Sequence, residues 1–218
     1  MTLFRLDASI LPATSASREL GDLVEAEWTA AHPTSSVLRR DLSADPVPAT
    51  AWRDAVQGGF TPEADRTPEQ RAAIALARTF ADELLSADAL LFTVPLYNYG
   101  VSQHFKTWFD LAYTVPGIDP TGTELRGKPA TLVTVLGGNY AEGSPKEGWD
   151  HSTAWLRRVL EDVWALDLRI VHRPFTLVGV NPALDAFTES AAELKRSAET
   201  DAVRSGRELA DLRGTQVA

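Results

Sequence analysis

Apolar positions along the chain fall into two patterns that alternate. Residues 3–7 form a short strand-like run, and after it Leu20, Leu23, Val24 and Trp28 recur at helical spacing from Ser17 until His32-Pro33 stops the helix. Residues 37–42 make a second strand, whose polar character predicts a place at a sheet edge. An irregular connection over 43–66 holds several prolines and glycines, with one or two helical turns at 51–56. Thr67-Pro68-Glu69-Gln70 then opens a long helix, with Thr67 as N-cap, Pro68 at the first helical position and Gln70 closing a capping box. Ile74, Leu76, Ala77, Phe80, Leu84 and Leu85 supply its buried face. Residues 89–95 and 130–136 are almost wholly apolar, the pattern of parallel strands covered on both faces. A loop over 96–101 leads to a helix over 103–113. Further helices are predicted over 149–164 and 185–212, with the last strand inside 168–180.

Strand and helix alternate five times in this order. That predicts an α/β fold: a doubly wound five-stranded parallel sheet with helices on both faces. No linker, repeat or shift in composition divides the chain, so residues 1–218 read as one domain. The formal net charge of −9 argues against a nucleic-acid partner, because phosphate backbones require a basic face. Cysteine is absent, which excludes disulfides, thiolate metal sites and a cysteine nucleophile, and fits a reducing compartment. No apolar stretch is long enough to span a membrane, and the first seven residues read as a strand rather than a signal peptide. A cytoplasmic protein with no membrane partner is expected.

In open parallel sheets, ligands bind beyond the carboxyl ends of the strands, where strand order reverses. Three loops are expected there. The first, over 8–17, lacks the glycine patterns of dinucleotide and P-loop sites. It still offers hydroxyls from Ser9, Ser15 and Ser17, backbone N–H groups around Ala16, and a helix start, all suited to a phosphate without any lysine or arginine. Plain helix capping by Ser15 or Ser17 is the competing reading. The second loop, Pro95-Leu96-Tyr97-Asn98-Tyr99-Gly100, combines rings, an amide and a glycine, as a planar heterocycle needs. A turn whose tyrosines merely cover the core would look the same. The third begins Gly137-Gly138-Asn139-Tyr140, where two glycines allow a ligand close to the backbone, as an ordinary turn would also have them.

Ser9 with Ser15-Ala16-Ser17, then Arg40-Asp41-Leu42, Pro95-Leu96-Tyr97-Asn98-Tyr99, Lys106-Thr107-Trp108-Phe109-Asp110, Gly127-Lys128-Pro129-Ala130 and Gly137-Gly138 occur in that order. Over roughly residues 1–180 the chain resembles the FMN-dependent NADH:azoreductase and NAD(P)H quinone oxidoreductase family. The resemblance implies a flavodoxin-like fold, a homodimer, and FMN at the sheet's carboxyl edge. Ser9, Ser15, Ala16 and Ser17 would hold its phosphate, Pro95, Leu96, Tyr97, Asn98 and Tyr99 would pack along its ring, and Val135, Leu136, Gly137 and Gly138 would line the pyrimidine side. The implied reaction is ping-pong: NADH or NADPH reduces FMN and leaves, and a quinone or azo acceptor takes two electrons.

The chain departs from the family pattern in three places. Val135 and Leu136 stand where serine and arginine are usual, which removes a side-chain hydrogen bond and a positive charge near the ring. The segment over 112–126 is shorter and lacks the glycine-x-threonine-phenylalanine stretch. Gly100-Val101-Ser102 replaces a polar residue, an apolar residue and a proline. The redox chemistry belongs to the cofactor, so no catalytic side chain is expected. None of the four histidines pairs at metal-ligand spacing, and no metal is expected. Tyr140 and His151 are candidates for binding the acceptor. A specialised flavin enzyme acting on a quinone or N–N-bonded metabolite, and a flavodoxin-like electron carrier, are the alternatives.

Overall fold

The computed structural model describes residues 1–11 and 13–211. Five parallel strands form one sheet: β1 (Thr2–Asp7), β2 (Ser36–Asp41), β3 (Ala89–Thr93), β6 (Pro129–Val135) and β7 (Asp167–Arg173), in the order β2-β1-β3-β6-β7. A two-stranded antiparallel hairpin, β4 (Leu96–Tyr97) and β5 (Gly100–Val101), follows β3. The polar β2 does lie at an edge, and every residue of β3 and β6 is buried.

Side chains alternate across the sheet. Leu3, Ala89, Leu91, Val133 and Val135 face α1 (Ala16–Ala31) and α6 (Thr188–Ala210), which bring Leu20, Val24, Trp28, Ala198, Ala202 and Leu209. Phe4, Leu6, Leu90, Phe92, Ala130 and Leu132 face the other way. They meet α2 (Ala51–Phe60), α3 (Pro68–Ser86), α4 (Gln103–Ala112) and α5 (Thr153–Arg157). Trp108 sits at the centre of that second layer, in contact with the rings of Phe4, Phe80, Phe92 and Phe105.

The capping box of α3 is present: Gln70 N–H donates to Thr67 Oγ1, and Thr67 N–H donates to Gln70 Oε1. At the other end of α3, Lys128 Nζ donates to the carbonyls of Leu84, Leu85 and Ala87 at 2.7, 2.9 and 2.6 Å. These are carbonyls with no acceptor role inside the helix, so the ammonium stabilises its C-terminus. Leu85 is 38% exposed rather than buried, because it follows the buried Leu84 around the helix onto the solvent side.

Three helices differ from the sequence expectation. The turns expected over 51–56 extend into the ten-residue α2. The one expected from Trp149 starts at Thr153, because the Asp150 carboxylate accepts from the N–H groups of Ser152 and Thr153 and from Thr153 Oγ1 and holds the preceding residues in a turn. It then widens into a π-helical turn over Arg158–Val163, after which Trp164 Nε1 donates to Ile118 O. The one expected from Asp185 starts at Thr188, behind a 3-10 turn over Pro182–Phe187 whose start Asn181 caps through Ala183 N–H. Its expected end at Leu212 lies outside the described residues. Among the described residues, no helix is long and apolar enough to cross a membrane.

The packing of α6 on α1 depends on Gly206. A Cβ there would stand 2.6 Å from the Val24 carbonyl oxygen and 2.8 Å from Glu27 Cβ. Gly206→Ala is expected to push the helices apart and lower stability by about 1–3 kcal/mol. A urea-unfolding midpoint equal to that of the parent chain would contradict this close approach.

Candidate functional site

Strand order reverses between β1 and β3: the chain passes from β1 outward to β2, then returns to lay β3, β6 and β7 on the other side. The carboxyl ends of β1 and β3 therefore flank the crevice in which such sheets bind ligands. A cleft of about 380 Å³ opens there. It is lined on one side by Ser9, Thr14, Ser15 and Ala16, and on the other by Pro95, Leu96, Tyr97, Val135 and Gly137. Among the described residues, its lining contains no charged side chain.

Ser15 is the N-cap of α1: its Oγ accepts from Arg18 N–H at 3.3 Å and shares a hydrogen bond of 3.0 Å with Ser17 Oγ. Capping and ligand donation are thus not exclusive. The N–H groups of Ala16 and Ser17, the first two of the helix, have no helical acceptor and carry its positive dipole end. Ser9, Ser15 and Ser17 are all buried. Ser9 Oγ accepts from Leu11 N–H and shares a hydrogen bond of 3.1 Å with Tyr97 Oη, so the first loop and the hairpin are joined across the cleft. Ser102 Oγ adds a second link by donating to Ala8 O at 2.8 Å.

The hairpin is what the expected loop over 96–101 becomes. Leu96 pairs with Val101 and Tyr97 with Gly100, leaving Asn98 and Tyr99 as a two-residue turn. Both have positive φ, 49° and 70°. Twisted strands favour such a turn, and asparagine tolerates it, but tyrosine is strained by it. His151 N–H donates to Tyr99 O at 3.0 Å and helps fix the turn. Strain of this kind concentrates at functional sites. Asn98 and Tyr99 are exposed at the rim, and Leu96 and Pro95 are buried. His151 contributes through its backbone while its side chain is exposed. Tyr140 is half-buried, its ring edge-on to Tyr99, and burial pushes its phenol up, keeping it a neutral donor. Gly137 lines the cleft and Leu136 is buried beside it, where the segment over 175–177 crosses: Thr176 N–H donates to Leu136 O and Leu177 N–H to Gly137 O. Gly138 accepts from Phe175 N–H beside it.

An ionic layer lies under the first loop. Arg18 makes a bidentate pair with Asp41, Nη1 to Oδ2 and Nη2 to Oδ1, both 2.7 Å, and its Nη2 also donates to Ser43 Oγ and Ser9 O. Arg5, 1% exposed, donates to Asp7 Oδ1, Asp22 Oδ1, Glu25 Oε2 and Arg18 O. Thr93 Oγ1 donates to the same Asp7 oxygen at 2.7 Å. Arg5, Asp7, Arg18 and Thr93 were missed as supports of the site. Apart from the Arg5–Asp7 pair within β1, their partners lie on other elements, with separations such as 86 residues for Thr93 and Asp7, and no local spacing signals them.

The Arg18 guanidinium holds the Asp41 carboxyl far below the usual carboxylate range, with Ser43 assisting. A depressed pKa contributes stability that is full above the ordinary carboxylate pKa of about 4 and is lost as pH falls below it. Asp41→Asn is therefore expected to cost about 1–2 kcal/mol at neutral pH, discounted for the partly exposed pair, and to flatten the loss of stability below about pH 4. Chemical unfolding at several pH values checks this; parallel pH curves for the two proteins would contradict it.

Among the described residues, no group of three or more His, Asp or Glu is placed to hold a metal ion.

Residues 1–200 match the protein family described as having a flavodoxin-like fold. A relative from Parafrankia sp. (strain EAN1pec), named FMN-dependent NADH:quinone oxidoreductase, is 37% identical over 204 residues, 92% of this chain and 96% of the relative. Among solved structures, azoreductase AzrA superposes with a TM-score of 0.79 at 22% identity, covering 95% of this chain and 100% of that one. An FMN-dependent NADH-azoreductase from Bacillus anthracis str. Ames Ancestor, solved in complex with FMN, gives a TM-score of 0.71 at 18% identity, over 94% and 100% of the two chains. At those identities the structural likeness is one of fold.

Proposed function

The chain belongs to the family with the flavodoxin-like fold, and we propose that it is an FMN-dependent oxidoreductase that carries two electrons from NADH to a quinone or azo acceptor. One observation carries the reading. The cleft at the β1–β3 crossover joins a cluster of neutral donors at a helix start to an uncharged, largely apolar slot. That donor set fits a phosphate at one end and a flat heterocycle at the other. Ser9, Ser15 and Ser17 hydroxyls with the Ala16 and Ser17 N–H groups would hold the phosphate. Pro95 to Tyr99 would pack along the ring, and Val135 to Gly138 would line its pyrimidine side.

FMN, when bound, supplies the two-electron relay between a hydride donor and the acceptor. The protein's own part is to hold, shield and orient. The buried Pro95 and Leu96 exclude water from one side. The strained Asn98-Tyr99 turn sets the rim, and Tyr140 offers a neutral phenol beside the opening. Donor and acceptor would reach the bound ring in turn. NADH is the donor named for the relative, and quinone and azo acceptors are those of the relatives' names. The same reading includes a homodimer in the cytoplasm; Phe60 and Val180, 89% and 74% exposed, are large apolar side chains that a second copy would cover.

Steady-state NADH oxidation at varied benzoquinone tests the reading. Turnover with parallel double-reciprocal lines is expected. Intersecting lines would remove the alternation of donor and acceptor, and no turnover would leave an electron carrier instead of an enzyme.

A further inference from the structure

A second pocket, of about 250 Å³, adjoins the cleft and shares Gly137 and Leu177 with it. Leu177 is the divider: a Cβ on Gly137 would stand 2.6 Å from its Cδ1. Beyond it the walls are aromatic and aliphatic, with Tyr140, Leu184 and the rings of Phe175 and Phe187, stacked at 5.1 Å between centroids. The volume is small for a ligand site and suits one or two fused rings.

Among the described residues, its only charged lining residue is Lys146. The half-buried ammonium stands 5.5 Å from the Tyr99 ring centroid and 5.6 Å from that of Tyr140, so two rings hold it at the mouth. Among the described residues, no carboxylate lies within ion-pair distance of it. Two nearby acids are engaged elsewhere: Glu147 accepts from Gly143 N–H, and Asp150 from Ser152 and Thr153. A protein of net charge −9 repels anions in general, so an unneutralised cation inside an aromatic pocket is a local exception. Ser9, Ser15 and Ala16, proposed for the phosphate, line the other cleft and not this pocket, so Lys146 is not needed for the phosphate.

We propose that this pocket binds the acceptor and that Lys146 selects small aromatic acceptors bearing an ionised acidic substituent, the ring lying among Tyr140, Phe175 and Phe187 and the anion on the ammonium. The proposal rests on the reductase reading above, whose site it extends.

The test compares the holoenzyme with Lys146→Met and Lys146→Arg. Turnover is measured with 2-hydroxy-1,4-naphthoquinone, ionised at neutral pH, and with its neutral 2-methoxy analogue. The ratio of KM for the anionic to the neutral quinone is expected to rise roughly fivefold in Lys146→Met and to recover in Lys146→Arg. Calorimetry on the oxidised protein supplies a readout without turnover: naphthalene-2-sulfonate is expected to bind the parent chain more tightly than naphthalene-2-sulfonamide, and Lys146→Met to abolish that preference. An unmoved KM ratio, an unmoved sulfonate preference, or a rise in the KM for NADH in place of the acceptor effect would each overturn the assignment. If the parent chain reduces neither quinone, the reductase reading fails, and the calorimetric comparison alone decides the pocket.

Discussion

Replacing Ser15 and Ser17 together by alanine is expected to weaken FMN binding by about two to three orders of magnitude. Each hydroxyl is buried, neutral and placed at the start of α1. A hydrogen bond to a charged phosphate contributes about 1.5–2 kcal/mol, and two such losses give that factor. Ser15 also caps α1, so its loss costs about 1 kcal/mol of stability as well. Ser15→Asp separates the two roles. Aspartate caps as well as serine does, so the thermal midpoint should hold, while its charge repels a phosphate and binding should fall further. Fluorescence titration of the FMN-free protein measures both variants. Binding of the double alanine variant within threefold of the parent chain would place the phosphate elsewhere.

The second large effect concerns Arg5. Burial works against its charge, yet Asp7, Asp22 and Glu25 more than offset this, and its pKa stands above the ordinary arginine value. Arg5→Met leaves Asp7, which is 5% exposed, without its closest cation. The nearest remaining one, Arg18, is 3.9 Å away and committed to Asp41. Removing one partner from a buried pair costs about 3–5 kcal/mol, which for a chain of this size lowers the thermal midpoint by roughly 10 °C. Because Asp7 and Arg18 underlie the Ser9 loop, FMN affinity should fall with stability. The double variant Arg5→Met, Asp7→Leu removes both charges and should recover much of the stability. If the single variant melts with the parent chain, the layer is not a structural support.

The sheet was legible because its central strands are almost wholly apolar runs and its edge strand is polar; both are local facts about residues 89–95, 130–136 and 37–42. The capping box at Thr67 was equally local. The helix starts at Thr153 and Thr188 were not, because Asp150 holds a turn ahead of the first and Asn181 caps a 3-10 turn ahead of the second by accepting from backbone N–H groups, and hydrophobic spacing carries no trace of that. At the site, the serine loop and the tyrosine-asparagine segment could be singled out by composition and resemblance. That the second is a hairpin with a strained tyrosine required knowing that Leu96 pairs with Val101. The Arg18–Asp41 clamp, the Arg5 layer and the Lys146 pocket depend on contacts between distant elements, which one sequence alone does not disclose.

The central claim is that the β1–β3 cleft holds FMN and that NADH reduces it there. The visible spectrum of the purified chain, recorded anaerobically before and after NADH with the released cofactor identified by chromatography, tests it most directly. A yellow protein that carries FMN and bleaches with NADH is the expected result. A colourless protein that takes up no added FMN and oxidises no NADH would contradict the claim and leave the serine and tyrosine-asparagine loops to a different ligand.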